Sequence, residues 1–246
     1  MSATTEADAG ARPVREALVL GNGIPPSPGL LRRLMASRPL LICADGGANA
    51  AAASGFTPDY VVGDLDSIAA GVRSAVPRER LIQIDADNTG TDAQKALQHA
   101  VKLGIARATL AGVTGGRTDH TLWNLSLLRL FADRLALRIV DDWCEIRRVQ
   151  GCVRFCAPRG QKISLSALAG PATGVWTQGL RFRLCRETLA LGVRDGISNE
   201  VVANPVEIGV EGGDLLLIVH QEGGASRVCW LSDQAERAPW AGQRQG

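Results

Sequence analysis

Five aspartates in this sequence recur where an acid can do more than cap a turn. Asp45 lies in Ala44-Asp45-Gly46-Gly47-Ala48-Asn49, and Asp64 and Asp66 lie in Val62-Gly63-Asp64-Leu65-Asp66-Ser67. Asp92 follows Thr91, and Asp119 lies in Gly115-Gly116-Arg117-Thr118-Asp119-His120. One aspartate at a strand end is ordinarily a turn or a helix cap. Five of them, each after an apolar run, are harder to read as caps. Hard carboxylate oxygens suit Mg²⁺, which is usually held by one or two carboxylates together with substrate phosphates. In extended backbone Asp64 and Asp66 project to the same side and can share a cation. Gly46-Gly47 and Gly115-Gly116 let bare backbone amides approach an anion, and Arg117 adds a fixed fork of donors. Carboxylates alone repel a polyphosphate, whereas carboxylates holding a metal beside glycines and an arginine attract one. The chemistry implied is transfer of a phosphoryl-type group from Mg²⁺-ATP to a small hydroxyl-bearing molecule.

Other chemistries lack their residues. There is no G-x-x-x-x-G-K-[ST] run and no G-x-S-x-G elbow, and His99, His120 and His220 sit in no triad-like motif. Gly21-Asn22-Gly23 resembles the start of a dinucleotide fingerprint. Pro26 stands where its third glycine belongs, behind Pro25. Prolines have no N–H to offer a pyrophosphate, so this segment reads as a tight turn.

The elements that must position these residues come from the apolar pattern. Short runs rich in Val, Ile and Leu at 16–21, 39–44, 59–62, 81–85, 108–113 and 135–140 read as parallel strands covered on both faces. Between them, Thr91–Leu103 reads as a helix capped by Thr91 and ended by Gly104, with Ala93, Ala96, Leu97, Ala100 and Val101 on one face. A second helix over about 120–134 is apolar on most of its circumference and is expected to pack on two sides. The alternation predicts an open α/β sheet, in which aspartates at strand ends line one crevice. After Asp142 the helical period disappears and short strands appear at 162–168, 174–184, 188–191, 201–202, 206–210 and 214–220, separated by glycines. The fold class is therefore α/β: an N-terminal open, mostly parallel sheet domain over 16–142, then a small antiparallel β-sandwich over 148–222. The boundary falls near 142–150. Residues 1–15 and 232–246 read as disordered, with an edge strand before the second of these stretches.

Twenty-seven basic against 25 acidic residues give a net charge of +2, without the footprint of a nucleic-acid or anionic-membrane binder. Arg181, Arg183 and Arg186 read as a solvated face. No apolar run approaches a membrane span, and Met1–Glu16 has no signal-like stretch, so a cytoplasmic location is expected. None of the six cysteines forms a C-x-x-C pair, and they read as buried small hydrophobes.

The segments ADGGAN (44–49), GDLDS (63–67), TDAQKAL (91–97), GGRTDH (115–120), GLRFRL (179–184) and SNE (198–200) together resemble the thiamine diphosphokinase (thiamine pyrophosphokinase) family. They occur in the family's order, and EIGVEGGDLLLIV (207–219) is similar to its closing strands. The resemblance implies transfer of the terminal diphosphate of ATP to the hydroxyethyl oxygen of thiamine, giving thiamine diphosphate and AMP. It implies that Asp64, Asp66 and Asp92 hold Mg²⁺ as the catalytic and metal residues, with Asp92 or Asp66 as candidate proton acceptor. Asp45, Gly46, Gly47, Asn49, Thr114, Gly115, Gly116, Arg117, Asp119 and His120 would shape the nucleotide pocket. Ser198 and Asn199 would contact thiamine at a homodimer interface. The chain departs from the family at Asp87-Asn88-Thr89-Gly90, where many relatives carry a Lys-Asp pair. It also has no tryptophan close after SNE to stack on thiamine, which leaves Trp176 as a candidate. Rival readings are the same transfer to another alcohol such as a hydroxymethyl pterin, a non-catalytic nucleotide or thiamine binder, and a nicotinamide oxidoreductase.

Overall fold

In the computed structural model the described residues are 15–84, 90–221 and 227–232. Six apolar runs form strands close to their expected bounds: β1 Glu16–Leu20, β2 Leu40–Ala44, β3 Tyr60–Gly63, β4 Leu81–Gln83, β5 Arg107–Ala111 and β6 Ala136–Val140. All pair in parallel, in the order β4-β3-β2-β1-β5-β6. Strand order reverses between β1 and β5, and a crevice opens above the carboxyl ends of an open α/β sheet at such a switch point.

Five helices cover this sheet: α1 Pro28–Met35, α2 Gly47–Ala53, α3 Ala70–Ala75, α4 Asp92–Lys102 and α5 Thr118–Leu130. One face buries Leu18, Leu20, Leu41, Cys43 and Val61 with Leu31 of α1 and Ala48 and Ala51 of α2. The other buries Val19, Ile42 and Leu110 with Ala96, Leu97 and Ala100 of α4 and Leu127 and Leu128 of α5. Thr91 caps α4, its hydroxyl accepting from Gln94 N–H at 3.3 Å, and Gly104 follows the helix in left-handed backbone at φ +72°. α5 differs from its expectation. It buries Asn124, Leu127 and Leu128 on one side, while Leu122, Trp123 and Leu130 lie open on the other. One sheet face offers one contact stripe, and among the described residues nothing buries the second.

Antiparallel strands follow: β7 Cys144–Val149, β8 Cys152–Cys156, β9 Lys162–Ala167, β10 Ala172–Gln178, β11 Glu187–Leu189, β12 Gly196–Glu200, β13 Val206–Gly209, β14 Leu215–His220 and β15 Cys229–Ser232. The stretch 142–150 holds a turn and β7, which pairs with β6 on one side and β14 on the other. The large sheet therefore passes through this stretch unbroken, ten strands in all, ending β6-β7-β14-β9-β12. A second sheet, β11-β10-β13-β8-β15, packs on the antiparallel end through Phe155, Val175 and Ile208 against Ile163, Leu165, Leu215 and Leu217. This is the expected sandwich, and it shares strands with the large sheet. β15 is an edge strand of it; the rest of the two expected disordered ends lies outside the described residues, as do 87–89.

The cysteines are more varied than read. Cys43 is buried, Cys144, Cys152 and Cys156 are half-buried, and Cys185 and Cys229 are exposed, all six as free thiols. Among the described residues no helix is long and apolar enough to cross a membrane.

Candidate active site

A crevice of about 570 Å³ opens above the carboxyl ends of the parallel strands. Its floor is acidic. One carboxylate oxygen each from Asp45, Asp64 and Asp92 lies within 4.8 Å of the others, the one such acidic group among the described residues. Each comes from a different strand end: Asp45 after β2, Asp64 after β3, Asp92 at the first turn of the helix after β4.

Local backbone forces them together. Asp45 sits in left-handed backbone at φ +44°, its N–H donating to Val62 O at 3.0 Å, and its side chain is buried. Asp45 Oδ1 has no hydrogen-bond partner, an orphan that needs a cation or a proton. Gly63 makes the close approach possible, since a Cβ there would stand 2.9 Å from Asp45 Cβ and 3.4 Å from Asp92 Cγ. Leu65 takes φ +66° and buries its side chain, so the backbone between Asp64 and Asp66 is not the extended chain expected. Asp66 lines the crevice with Asp64 and accepts from Ser67 Oγ at 2.9 Å, but it is outside the three-oxygen group.

Electrostatics follow. Burial, the largest cause, raises the Asp45 carboxyl above the usual carboxylate range; the charges of Asp64 and Asp92 push the same way, against hydrogen bonds from Ser67 and Gly46. Lys95, buried on α4, answers part of this charge through Asp92 Oδ1 at 3.1 Å. Three clustered carboxylates, one with an orphaned buried oxygen, fit a hard divalent cation such as Mg²⁺.

The crevice walls are loops. Gly21–Pro25 after β1 runs against Gly112–Arg117 after β5, joined by Gly23 N–H to Gly112 O at 2.7 Å and Ile24 N–H to Thr114 O at 3.2 Å. A Cβ on Gly21 would lie 2.6 Å from Val113 Cγ1, so glycine is what lets the two loops meet. Gly115, Gly116, Arg117 and His120 line the same wall. Arg117 and Asp119 are both exposed and form a two-point pair, Nε–Oδ1 at 3.2 Å and the second contact at 2.6 Å. That pair holds the Asp119 carboxyl down to about 2.

Several expected residues stand behind the wall. Gly46 precedes α2, and Gly47 packs so closely on β1 that a Cβ would lie 2.2 Å from Leu20 O. Asn49 grips the aspartate loop from behind, its Nδ2 donating to Ser67 O at 2.8 Å and its Oδ1 accepting from Ala69 N–H at 2.9 Å. Thr114 donates to Asp141 Oδ2 at 2.8 Å. Asp142 of the same turn accepts from Ser27 N–H and Oγ at 2.7 and 2.5 Å, so the turn before β7 ties down both wall loops.

Ser198 and Asn199 lie elsewhere, on β12 at the far end of the large sheet, eight strand positions from β3. At about 4.8 Å per strand this is roughly 38 Å along the sheet. Asn199 is buried and clasps the Phe182 backbone, accepting from its N–H at 3.0 Å and donating to its O at 2.7 Å.

Residues 31–140 match the thiamin pyrophosphokinase catalytic-domain model. The chain is similar to thiamine pyrophosphokinase 2 of Oryza sativa subsp. japonica, 25% identical over 214 residues, 74% of this chain and 78% of the relative. Its fold is similar to the thiamine pyrophosphokinase crystal structure from Bacillus subtilis, with a TM-score of 0.73 and 22% identity over 85% of this chain and all of the other. It is also similar to the thiamin pyrophosphokinase family protein from Enterococcus faecalis, with a TM-score of 0.70 and 25% identity over 85% of this chain and 99% of that one. Over these residues the chain is similar to the thiamin pyrophosphokinase family, and its fold is that of the solved thiamin pyrophosphokinases.

Some residues of the crevice and its surroundings escaped the reading of the sequence. Asn124 of α5 is buried, lines the crevice and donates to Val113 O at 2.8 Å, leaving its Oδ1 without a partner. A polar residue in the apolar run of α5 was its signal. Lys95 was legible as the residue one turn after Asp92. Asn22 was set aside with the tight turn of Gly21–Gly23; the turn is there and also forms the crevice wall. On β12's side, Phe182 holds a ring 63% exposed beside Asn199. Trp176 instead covers Gly209 on β13.

Proposed function

We propose that the protein transfers the terminal diphosphate of ATP, as one unit, to the hydroxyethyl oxygen of thiamine, releasing thiamine diphosphate and AMP. The observation that carries this reading is the carboxylate trio of Asp45, Asp64 and Asp92 at the switch-point crevice, in a chain similar to the thiamin pyrophosphokinase catalytic domain over residues 31–140. Asp64 and Asp92, with Asp45 and Asp66 at hand, would hold Mg²⁺, which would supply charge neutralisation for the polyphosphate. Transfer of this kind depends on in-line positioning and charge stabilisation more than on covalent chemistry. Gly115, Gly116 and Arg117 offer backbone N–H groups and a guanidinium to the phosphates, and Asn22, Asn124 and His120 offer polar contacts to the nucleotide. Asp66, outside the trio, is the better placed of the two candidate acceptors for the hydroxyl proton, since a carboxylate bound to a metal is a weak base.

The thiamine contacts proposed are Ser198 and the exposed Phe182 ring, with Asn199 fixing the Phe182 backbone rather than facing substrate. A ring face suits a cationic, aromatic substrate. Because β12 and β3 stand far apart in one chain, this reading calls for a homodimer in which β12 of one protomer meets the aspartate crevice of its partner. Six free thiols accord with a reducing, cytoplasmic setting.

The test is AMP release from ATP and Mg²⁺ with thiamine or a hydroxymethyl pterin as acceptor. AMP with thiamine, abolished by Asp64→Asn, is the expected outcome. AMP with the pterin alone, or thiamine binding without turnover, would overturn it.

A further inference from the structure

We infer that Ser164 and His220 are positioning residues for the acceptor substrate, because together they hold Ser198 in a backbone conformation it would otherwise leave. The inference rests on the reading of Ser198 as a thiamine contact. Ser198 is a non-glycine residue at φ +58°, inside an irregularity of β12 where the register with β9 slips between Gly196 and Asn199. L-residues other than asparagine and aspartate seldom occupy that region, and they do so where surrounding groups over-determine it.

Side chains impose it here. Ser198 N–H donates to Ser164 Oγ on the neighbouring strand β9 at 3.1 Å. With that lone pair used, the buried Ser164 hydroxyl has its own proton to give, and His220 Nε2 on β14 stands 3.2 Å away. Three strands are thereby linked by side chains across β12, β9 and β14, which are adjacent in the sheet. On either side of Ser198 the same segment is also fastened: Ile197 N–H donates to Asp195 Oδ1 at 3.1 Å, and Asn199 clasps Phe182. Residues 197–199 are therefore held one by one, by Asp195, Ser164 and Asn199's own amide.

Loss of the Ser164 hydroxyl removes the grip on the middle residue. In an edge strand the backbone then relaxes toward extended geometry, where side chains alternate at period two and the Ser198 hydroxyl changes face. Nothing in this network approaches the aspartate crevice of the same chain, so thiamine and ATP should respond differently.

Steady-state kinetics with Ser164→Ala, Ser164→Thr, His220→Ala, His220→Gln and Ser198→Ala test the inference. Ser164→Ala is expected to raise the KM for thiamine by about tenfold, the worth of one hydrogen bond, with kcat and the KM for ATP unchanged. Threonine restores the hydroxyl and glutamine restores an acceptor, so both conservative variants should recover affinity for thiamine. An unchanged thiamine KM in Ser164→Ala, alongside a raised one in Ser198→Ala, overturns the positioning role and leaves the contact intact. An unchanged thiamine KM in Ser198→Ala overturns the contact itself, and the inference with it. Parallel increases in both KM values reveal general loosening, which also overturns it. If Ser164→Ala fails to fold, the exposed His220→Ala carries the same comparison.

Discussion

Asp45, Asp64 and Asp92 repel one another, and folding holds them together regardless. Without a cation that repulsion is an internal cost; with one it becomes affinity. At 100 times its Kd, a ligand binding only the folded state adds about 2.7 kcal/mol of stability. Mg²⁺ should accordingly raise the melting temperature. Asp64→Asn should weaken metal affinity at least about tenfold and cut the gain at the same Mg²⁺ concentration to about 1.4 kcal/mol. An undiminished Mg²⁺ shift in that variant would remove Asp64 from the metal site. Asp45 adds a pH signature. Its folded-state carboxyl titrates above the usual carboxylate value, so the native state keeps this proton to higher pH than the unfolded chain does. Through the window from about pH 4, the unfolded carboxyl value, up to the raised folded value, native protein binds the extra proton and stability falls as pH rises. In metal-free protein, Asp45→Asn should abolish that fall. Urea unfolding of both proteins across the acid range would measure it, and superimposable pH profiles would refute it.

At the scale of elements, the crevice depends on groups that never face it. Asn49 on α2 uses both ends of its amide to fix the loop that carries Asp64 and Asp66. Asn49→Ala removes both hydrogen bonds, to exposed Ser67 O and Ala69 N–H that water can satisfy in its place, at a cost of about 1 kcal/mol. A lower urea midpoint and a raised KM for ATP are expected together, since one loop serves both; a KM change without any loss of stability would instead mark Asn49 as a direct ligand contact. This division explains which parts of the site were legible. Asp45, Asp64 and Asp92 could be read because strand ends in an α/β sheet converge. The roles of Asn49, Thr114 and Gly47 as braces could not, because bracing is a relation between residues distant in sequence, such as Thr114 with Asp141. The tight approach of Gly47 to Leu20 O is equally invisible in a Gly-Gly pair that suits an anion as well as a helix start.

At the scale of the molecule, β12 and the carboxylates occupy opposite ends of one ten-stranded sheet. If each active site takes its acids from one protomer and Ser198 from the other, defects in the two halves should complement. Asp64→Asn and Ser198→Arg protomers, each inactive alone, should give roughly a quarter of wild-type activity after mixing and subunit exchange, because half the dimers are mixed and each carries one intact site. No recovery in a mixture shown by mass to contain mixed dimers would refute the shared site.

The sequence by itself determined the alternation of parallel strands and helices, the later change to antiparallel strands, and the acids at the strand ends. These follow from local periodicity and from residue types whose chemistry is intrinsic. Only the tertiary structure decided that β7, in what read as a boundary, stitches both halves into one sheet. It likewise decided that Asp45 rather than Asp66 completes the close carboxylate trio, through the left-handed turn at Leu65, and that Asn199 serves Phe182. Strand partners, backbone handedness at single residues and the far end of a hydrogen bond are set by contacts across the chain, and no local pattern encodes them.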